Sequence, residues 1–246
     1  MDGIELCIRF SLRPTSLRFC GPQRAQALFQ RYLERKDNED EVRAAFEQFE
    51  GLYPYLSAIA QKHGRDVLDY DVVEAYWLGN RLLEGFTRDE ARGIIEGLMA
   101  KRSALRSLPR RIGEALIESL PEKVLPHHNF HVFYVGVGRT AGTVPLVMNS
   151  YDQCRISWGE VLEVRAEKEL LRVRTTRLVE DGGKVVLGGR VEREVGYVPG
   201  LLGRVRRGDF VALHWGFAPV LLREEDVARI EKYTRYALDL YNERAV

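Results

Sequence analysis

Cysteine is scarce in this chain. Cys7, Cys20 and Cys154 are the full set, widely spaced and without a CxxC pair. Such a set excludes a disulfide framework, a zinc ribbon and a thioredoxin-type redox motif. Charge of one sign is missing too. Lys and Arg total 37 against 36 Asp and Glu, a net charge of +1, so no strong field recruits nucleic acid or an anionic membrane. No apolar run approaches the roughly 20 residues that span a bilayer. The opening MDGIELCIRF carries acids early and lacks the apolar core of a signal peptide. The expectation is a cytoplasmic protein with neither a nucleic-acid nor a membrane partner. Methionine is also rare, at three residues; with charges dense in Arg and Glu, this leans toward a thermophile.

What is present is ordinary globular composition, 45% hydrophobic and 30% charged over 246 residues, enough for one large domain or two modest ones. Residues 4–10 alternate Ile4, Leu6, Ile8 and Phe10 with Glu5, Cys7 and Arg9. That period predicts a strand with Cys7 on its less apolar face. Ala25, Leu28, Phe29, Tyr32 and Leu33 recur at helical spacing after Pro22. Cys20 then stands at a helix N-terminus, where the dipole lowers a thiol pKa, or else is a small apolar residue beside Phe19.

Further helices are expected around Val42–Phe49, Leu56–Ala60 with a stop at Gly64, and Val73–Leu83 capped by Asp69 or Asp71. Another follows the capping box Thr87–Glu90, and a sixth is opened by Pro109. Lys101, Arg102, Arg106, Arg110 and Arg111 cluster between the last two, as a phosphate or partner patch or as a solvated helix surface. Residues 20–120 thus read as all-helical with short loops, within a helical domain placed at 1–125.

The pattern changes after Pro121. His127, His128 and His131 crowd the segment before the apolar run Val132–Val135, which has strand character, and a second strand is expected around Val144–Met148. His127 and His131 share a face in either regular conformation, so both are candidate ligands; the alternative is a polar loop with one structural histidine. Residues 136–142 lack the GxGxxG spacing and read as a hairpin connection. These strands deliver the chain to Cys154, placed before a glycine turn at Gly159. Strands are expected at Gly159–Val164, Leu170–Val173, Lys184–Val191 and Phe210–Leu213, with a turn at Gly182-Gly183 and a closing helix from Glu224. The fold class is α+β. A helical domain (1–125) precedes a small β-barrel with a C-terminal helix (126–246).

Two segments of the final third carry a resemblance. Cys154-Arg155-Ile156-Ser157-Trp158-Gly159-Glu160-Val161 resembles the opening of the HypC/HupF family of nickel–iron hydrogenase assembly chaperones. Gly208-Asp209-Phe210-Val211-Ala212-Leu213-His214-Trp215-Gly216-Phe217-Ala218 is similar to that family's Gly-Asp-aromatic-Val-x-x-His-x-Gly-Phe-Ala motif. The resemblance spans roughly Cys154–Val246. It implies an OB-like barrel whose Cys154 and His214 bind an iron centre bearing carbonyl and cyanide. The implied partners are a maturation scaffold protein or the hydrogenase large subunit. Thiolate and imidazole suit such chemistry, and Gly216 lets backbone approach closely. Here the cysteine is internal rather than N-terminal, and Trp158 replaces the usual proline before the glycine. The helical domain and the histidine segment have no counterpart in the small chaperone.

Three readings stand. In one, a maturation protein holds metal through Cys154 and His214, with His127 and His131 as further candidates. In another, a thiol–imidazole enzyme pairs Cys154 with His131 or His214 on a small substrate. In the last, the barrel motifs serve folding and His214 is a core histidine.

Overall fold

The computed structural model describes residues 1–22, 24–49, 51–100, 108–140 and 144–244. The chain is α+β and divides into two compact units, Met1–Pro145 and Leu146–Val246. No described helix is long and apolar enough to cross a membrane.

The first unit is helical, with α1 (Gly3–Ser16), α2 (Ala25–Arg35), α3 (Glu39–Glu47), α4 (Tyr53–His63), α5 (Tyr70–Trp77), α6 (Arg88–Ala100) and α7 (Arg110–Glu118). A single turn, α8 (His128–Phe130), runs into a π-helix over His131–Gly136. Its terminators follow local chemistry. Gly64 closes α4 at φ 61°, the left-handed position that glycine takes without a Cβ penalty. Thr87 and Glu90 exchange hydrogen bonds at the start of α6, each side chain taking the other's backbone N–H (2.7 and 3.2 Å). Inside, Phe29 stacks on Phe46 and on Phe49, and Phe10 lies on Trp77 with centroids 5.0 Å apart.

Two expected strands of this unit are helices. Asp2 caps α1 by accepting from Glu5 N–H (2.7 Å), and Ile4, Leu6, Cys7, Ile8 and Phe10 are all buried. A helix buried on most sides shows apolar residues at every spacing, which mimics alternation. Its one polar stripe is Glu5–Arg9, four residues apart and ion-paired at 2.6 Å. The run Val132–Val135 is likewise buried throughout, and a short continuous apolar run does not distinguish a buried strand from a buried helix.

Tyr134 Oη donates to Leu116 O (2.7 Å) and His131 meets Tyr55 Oη (3.1 Å). These bonds hold the segment among the helices, so the first unit runs to Pro145 rather than 125. The expected hairpin over 136–142 lacks its flanking strands; Gly142 lies outside the described residues. So do Lys101, Arg102 and Arg106. Arg110 and Arg111 begin α7, with Arg110 paired to Glu114 (2.7 Å).

The second unit opens with α9 (Met148–Cys154), so Cys154 ends a helix rather than following a strand. An antiparallel sheet follows, built from β1 (Ser157–Arg165), β2 (Leu170–Asp181), β3 (Lys184–Gly196), β4 (Phe210–Leu213) and β5 (Leu221–Leu222), in the order β3-β2-β1-β4-β5. A short α10 (Pro199–Leu202) joins β3 to β4, and α11 (Glu224–Arg244) closes the chain.

Gly182 and Gly183, at φ 57° and 78°, make the two-residue turn that β2 and β3 need. Gly159 is no turn. It lies inside β1, where an added Cβ would come 3.0 Å from Val173 Cβ; close strand packing selects glycine there. Val161, Leu171, Val173, Val195, Val211, Leu213 and Ala218 form one apolar cluster from all four longer strands and the segment beyond β4. At the far edge, Gly196 N–H donates to Gly216 O (2.9 Å) and Ala218 N–H to Gly196 O (2.8 Å). A parallel bridge, Gly196↔Phe217, results.

Two glycines test the helical packing. A Cβ at Gly3 would sit 2.1 Å from the backbone oxygen of Leu68, whereas at Gly93 nothing lies within 4 Å. Gly3→Ala is expected to cost at least about 3 kcal/mol, because backbone cannot retract as a side chain can. Gly93→Ala, in an exposed helix interior, is expected to gain about 0.5–1 kcal/mol. Urea unfolding of the two variants checks both; equal effects would contradict the packing described.

Candidate functional site

The second unit brings Cys154 and His214 together. They are separated by sixty positions in the sequence, yet Cys154 Sγ and a ring nitrogen of His214 lie within 4.8 Å. Two ligands of one metal ion stand about 3.5 Å apart when bonds are about 2.1–2.3 Å, so little closure is needed. His214 is buried and Cys154 half-buried.

Each residue is placed by its local backbone. His214 directly follows β4 and starts a two-residue turn. Its N–H donates to Phe217 O (3.0 Å), and Phe217 N–H donates back to His214 O (3.1 Å). Trp215 and Gly216 between them have φ 53° and 68°, the left-handed pair of a type I′ turn. Gly216 is therefore required by the turn itself, and close approach is not its main role. Trp215 is a bulky residue in a conformation that costs about 1–2 kcal/mol. Its N–H donates to Gln153 O at 2.7 Å, tying the residue after His214 to the residue before Cys154.

Charge completes the placement. Arg155, next to Cys154, is 1% exposed. Its Nε and Nη2 donate to Asp152 Oδ1 (3.2 and 3.1 Å), and Nη2 donates to Thr176 O (2.8 Å). Asp152 also accepts from Leu178 N–H (3.0 Å) and from Arg193 Nη2. Thr176 and Leu178 flank the register shift in β2, and a bulge of this kind breaks the ladder and bends the strand. Burial pushes the Arg155 guanidinium below its ordinary pKa, and the Asp152 carboxylate opposes that. Asp152, Gln153, Arg155 and Trp215 were not signalled as candidates by composition or motif. The Asp-x-x-Arg spacing around the cysteine was the available clue.

The remaining candidates are held differently, within the first unit. His127 caps α8, its Nδ1 accepting from Asn129 N–H (3.0 Å) while Nε2–H donates to Trp77 O (3.1 Å). His131 has Nδ1 on Tyr55 Oη (3.1 Å) and Nε2 on Thr140 Oγ1 (3.2 Å). Both nitrogens of both rings thus have partners within the first unit, His127 tying α8 to the end of α5 and His131 tying its own segment to α4 and to Thr140. Burial lowers His127 to about 3 and His131 to about 4.

His128 is set by tautomer. The Tyr76 hydroxyl gives its proton to Gly51 O (2.7 Å), so at the 2.9 Å contact with His128 Nδ1 the imidazole is the donor, leaving the lone pair on Nε2. Cys7 is fully buried, and burial pushes its thiol well above the ordinary range, which makes it inert. Cys20 precedes α2 by several residues and is half-buried, so no helix dipole acts on it. None of the three cysteines is in a disulfide.

A thiolate and an imidazole from one unit make a soft, mixed donor pair. Two such donors leave most coordination positions of a metal open, unlike a closed structural site. The same pair also suits nucleophilic chemistry, with sulfur attacking and imidazole taking the proton.

The family model described as a family of unknown function, DUF6390, matches residues 1–246, and the chain belongs to that family. No curated protein and no solved structure matches it.

The histidines of the first unit generate a pH prediction. The folded pKa of His127 and His131 lies below the unfolded value of about 6.5, so between about 3 and 6.5 the unfolded chain binds more protons. Stability of the first unit is therefore expected to rise with pH through that window and level off above it. Amide exchange over 1–145 in urea at several pH values measures this. His127→Asn keeps a capping side chain and is expected to flatten the slope; a slope unchanged by that substitution would contradict the assignment.

Proposed function

We propose that this DUF6390 member is an accessory protein of metal-centre maturation. It takes an iron–carbonyl/cyanide unit as cargo through Cys154 and His214 and passes it between partner proteins. The observation that carries the reading is the meeting of Cys154 and His214 within 4.8 Å, since these are the two residues singled out by the HypC/HupF resemblance. The cargo role fits the donor set: soft sulfur suits low-valent iron, and two donors hold a unit that brings its own ligands.

An OB-like barrel is part of the same reading. Its support is the single apolar cluster shared by β1 to β4 and the parallel bridge from Gly196 at the end of β3 to Phe217. A maturation scaffold protein or a hydrogenase large subunit is the partner the resemblance implies. Cysteines outside any disulfide accord with a reducing cytoplasm.

The thiol–imidazole enzyme is the second reading, and the same pair favours it with His214 as base. Its His131 variant has less support, because both nitrogens of that ring already have hydroxyl partners.

Anaerobic purification followed by infrared spectroscopy separates the two. The maturation reading expects metal-bound carbonyl and cyanide bands in the wild type, retained in Cys20→Ala and lost in Cys154→Ala. Absence of bands, together with thiol-dependent turnover of a small molecule abolished by Cys154→Ala, would favour the enzyme.

A further inference from the structure

The residues on either side of Cys154 are fastened to the sheet more firmly than a surface helix end needs. Asp152 bonds Leu178 N–H, Gln153 O accepts from Trp215 N–H, and Arg155 bonds Thr176 O as well as Asp152. Asp152, Gln153 and Arg155, which flank the cysteine, are thus each tied to the strands or to the turn beyond β4.

The fastening is also costly. Arg155 and Asp152 are 1% and 7% exposed, and the Arg155 Nη1 has no hydrogen-bond partner among the described residues. Apolar residues of similar volume often hold such a place with equal or greater stability. A buried ion pair supplies direction instead. The planar guanidinium fixes angles through paired donors, and its anchor is the irregular step of β2.

We propose that Arg155, held by Asp152 and the Thr176 carbonyl, is a positioning residue that aims the Cys154 sulfur at His214. The inference rests on the metal-holding reading of that pair. Arg155 touches no cargo; it acts through the backbone of the cysteine beside it. Loss of residues that orient a ligand typically lowers metal affinity by about 10–100-fold.

Cobalt(II) titration of the full chain, read by the thiolate-to-cobalt absorption band, tests this. Arg155→Lys keeps the charge but loses the planar fork, and is expected to weaken cobalt binding at least about tenfold and to shift the band. Asp226→Asn is the structural control. Asp226 is a buried acid at the start of α11, bonded by Arg223 N–H (2.9 Å) and Nε (3.1 Å). Its loss is expected to lower the unfolding midpoint and leave cobalt affinity unchanged.

Wild-type affinity in folded Arg155→Lys would overturn the proposal, as would equal weakening in Asp226→Asn. If the wild type gives no thiolate band, the metal-holding reading fails on its own. Positioning is then read from alkylation of Cys154 in a Cys20→Ser background. A rate changed about tenfold by Arg155→Lys supports the role of Arg155, and an unchanged rate overturns it.

Discussion

The hydrogen bond from Trp215 N–H to the Gln153 carbonyl, at 2.7 Å, is the constraint on which the chemistry of the second unit depends. It joins a helix end to a strand end across sixty residues of sequence. The bond needs Trp215 to point its N–H toward α9, and the left-handed turn supplies that direction. A tryptophan at φ 53° is strained, and strain of this kind persists where the surroundings over-determine it. Here they do. The turn is closed by two His214–Phe217 bonds on one side and by the Gly196 bridge on the other. What the strain secures is a thiol and an imidazole held side by side.

The two units solve the burial of polar groups in opposite ways. In the first, His127 and His131 are buried, and their ring nitrogens are taken up by a backbone N–H, a carbonyl and two hydroxyls of the same unit. In the second, a charged pair is buried beside the candidate site and anchored to a bulge. A neutral network rigidifies at little electrostatic cost, whereas the ion pair costs desolvation and returns orientation. That contrast separates histidines that hold structure from the histidine that stands beside the cysteine.

Much of the architecture was legible in the sequence. Caps at Asp69, Thr87 and Gly64, the turn at Gly182-Gly183, the strand Phe210–Leu213 and the helix from Glu224 are where local chemistry puts them. What misled was burial. α1 and the π-helix His131–Gly136 are enclosed so completely that their apolar patterns lose the 3.6-residue signature, and both read as strands. The Asp2 cap and the Glu5–Arg9 spacing were the marks of the helix α1. Gly159 shows a related limit: close packing and turns both select glycine, and sequence does not tell them apart. The pairing of Cys154 with His214 was legible through motif rather than period. Their distance depends on a bulge in β2 and a backbone bond, neither of which leaves a trace in residue type. Nor could spacing show that His127 and His131 have both nitrogens occupied.

The central claim is that Cys154 and His214 serve one metal-bound centre. X-ray absorption at the iron edge, on the full chain loaded anaerobically with iron(II), tests it most directly. The account predicts one sulfur scatterer together with imidazole outer-shell scattering, the sulfur vanishing in Cys154→Ala and the imidazole signal falling in His214→Ala. A first shell of oxygen and nitrogen only, unchanged by either substitution, would contradict it.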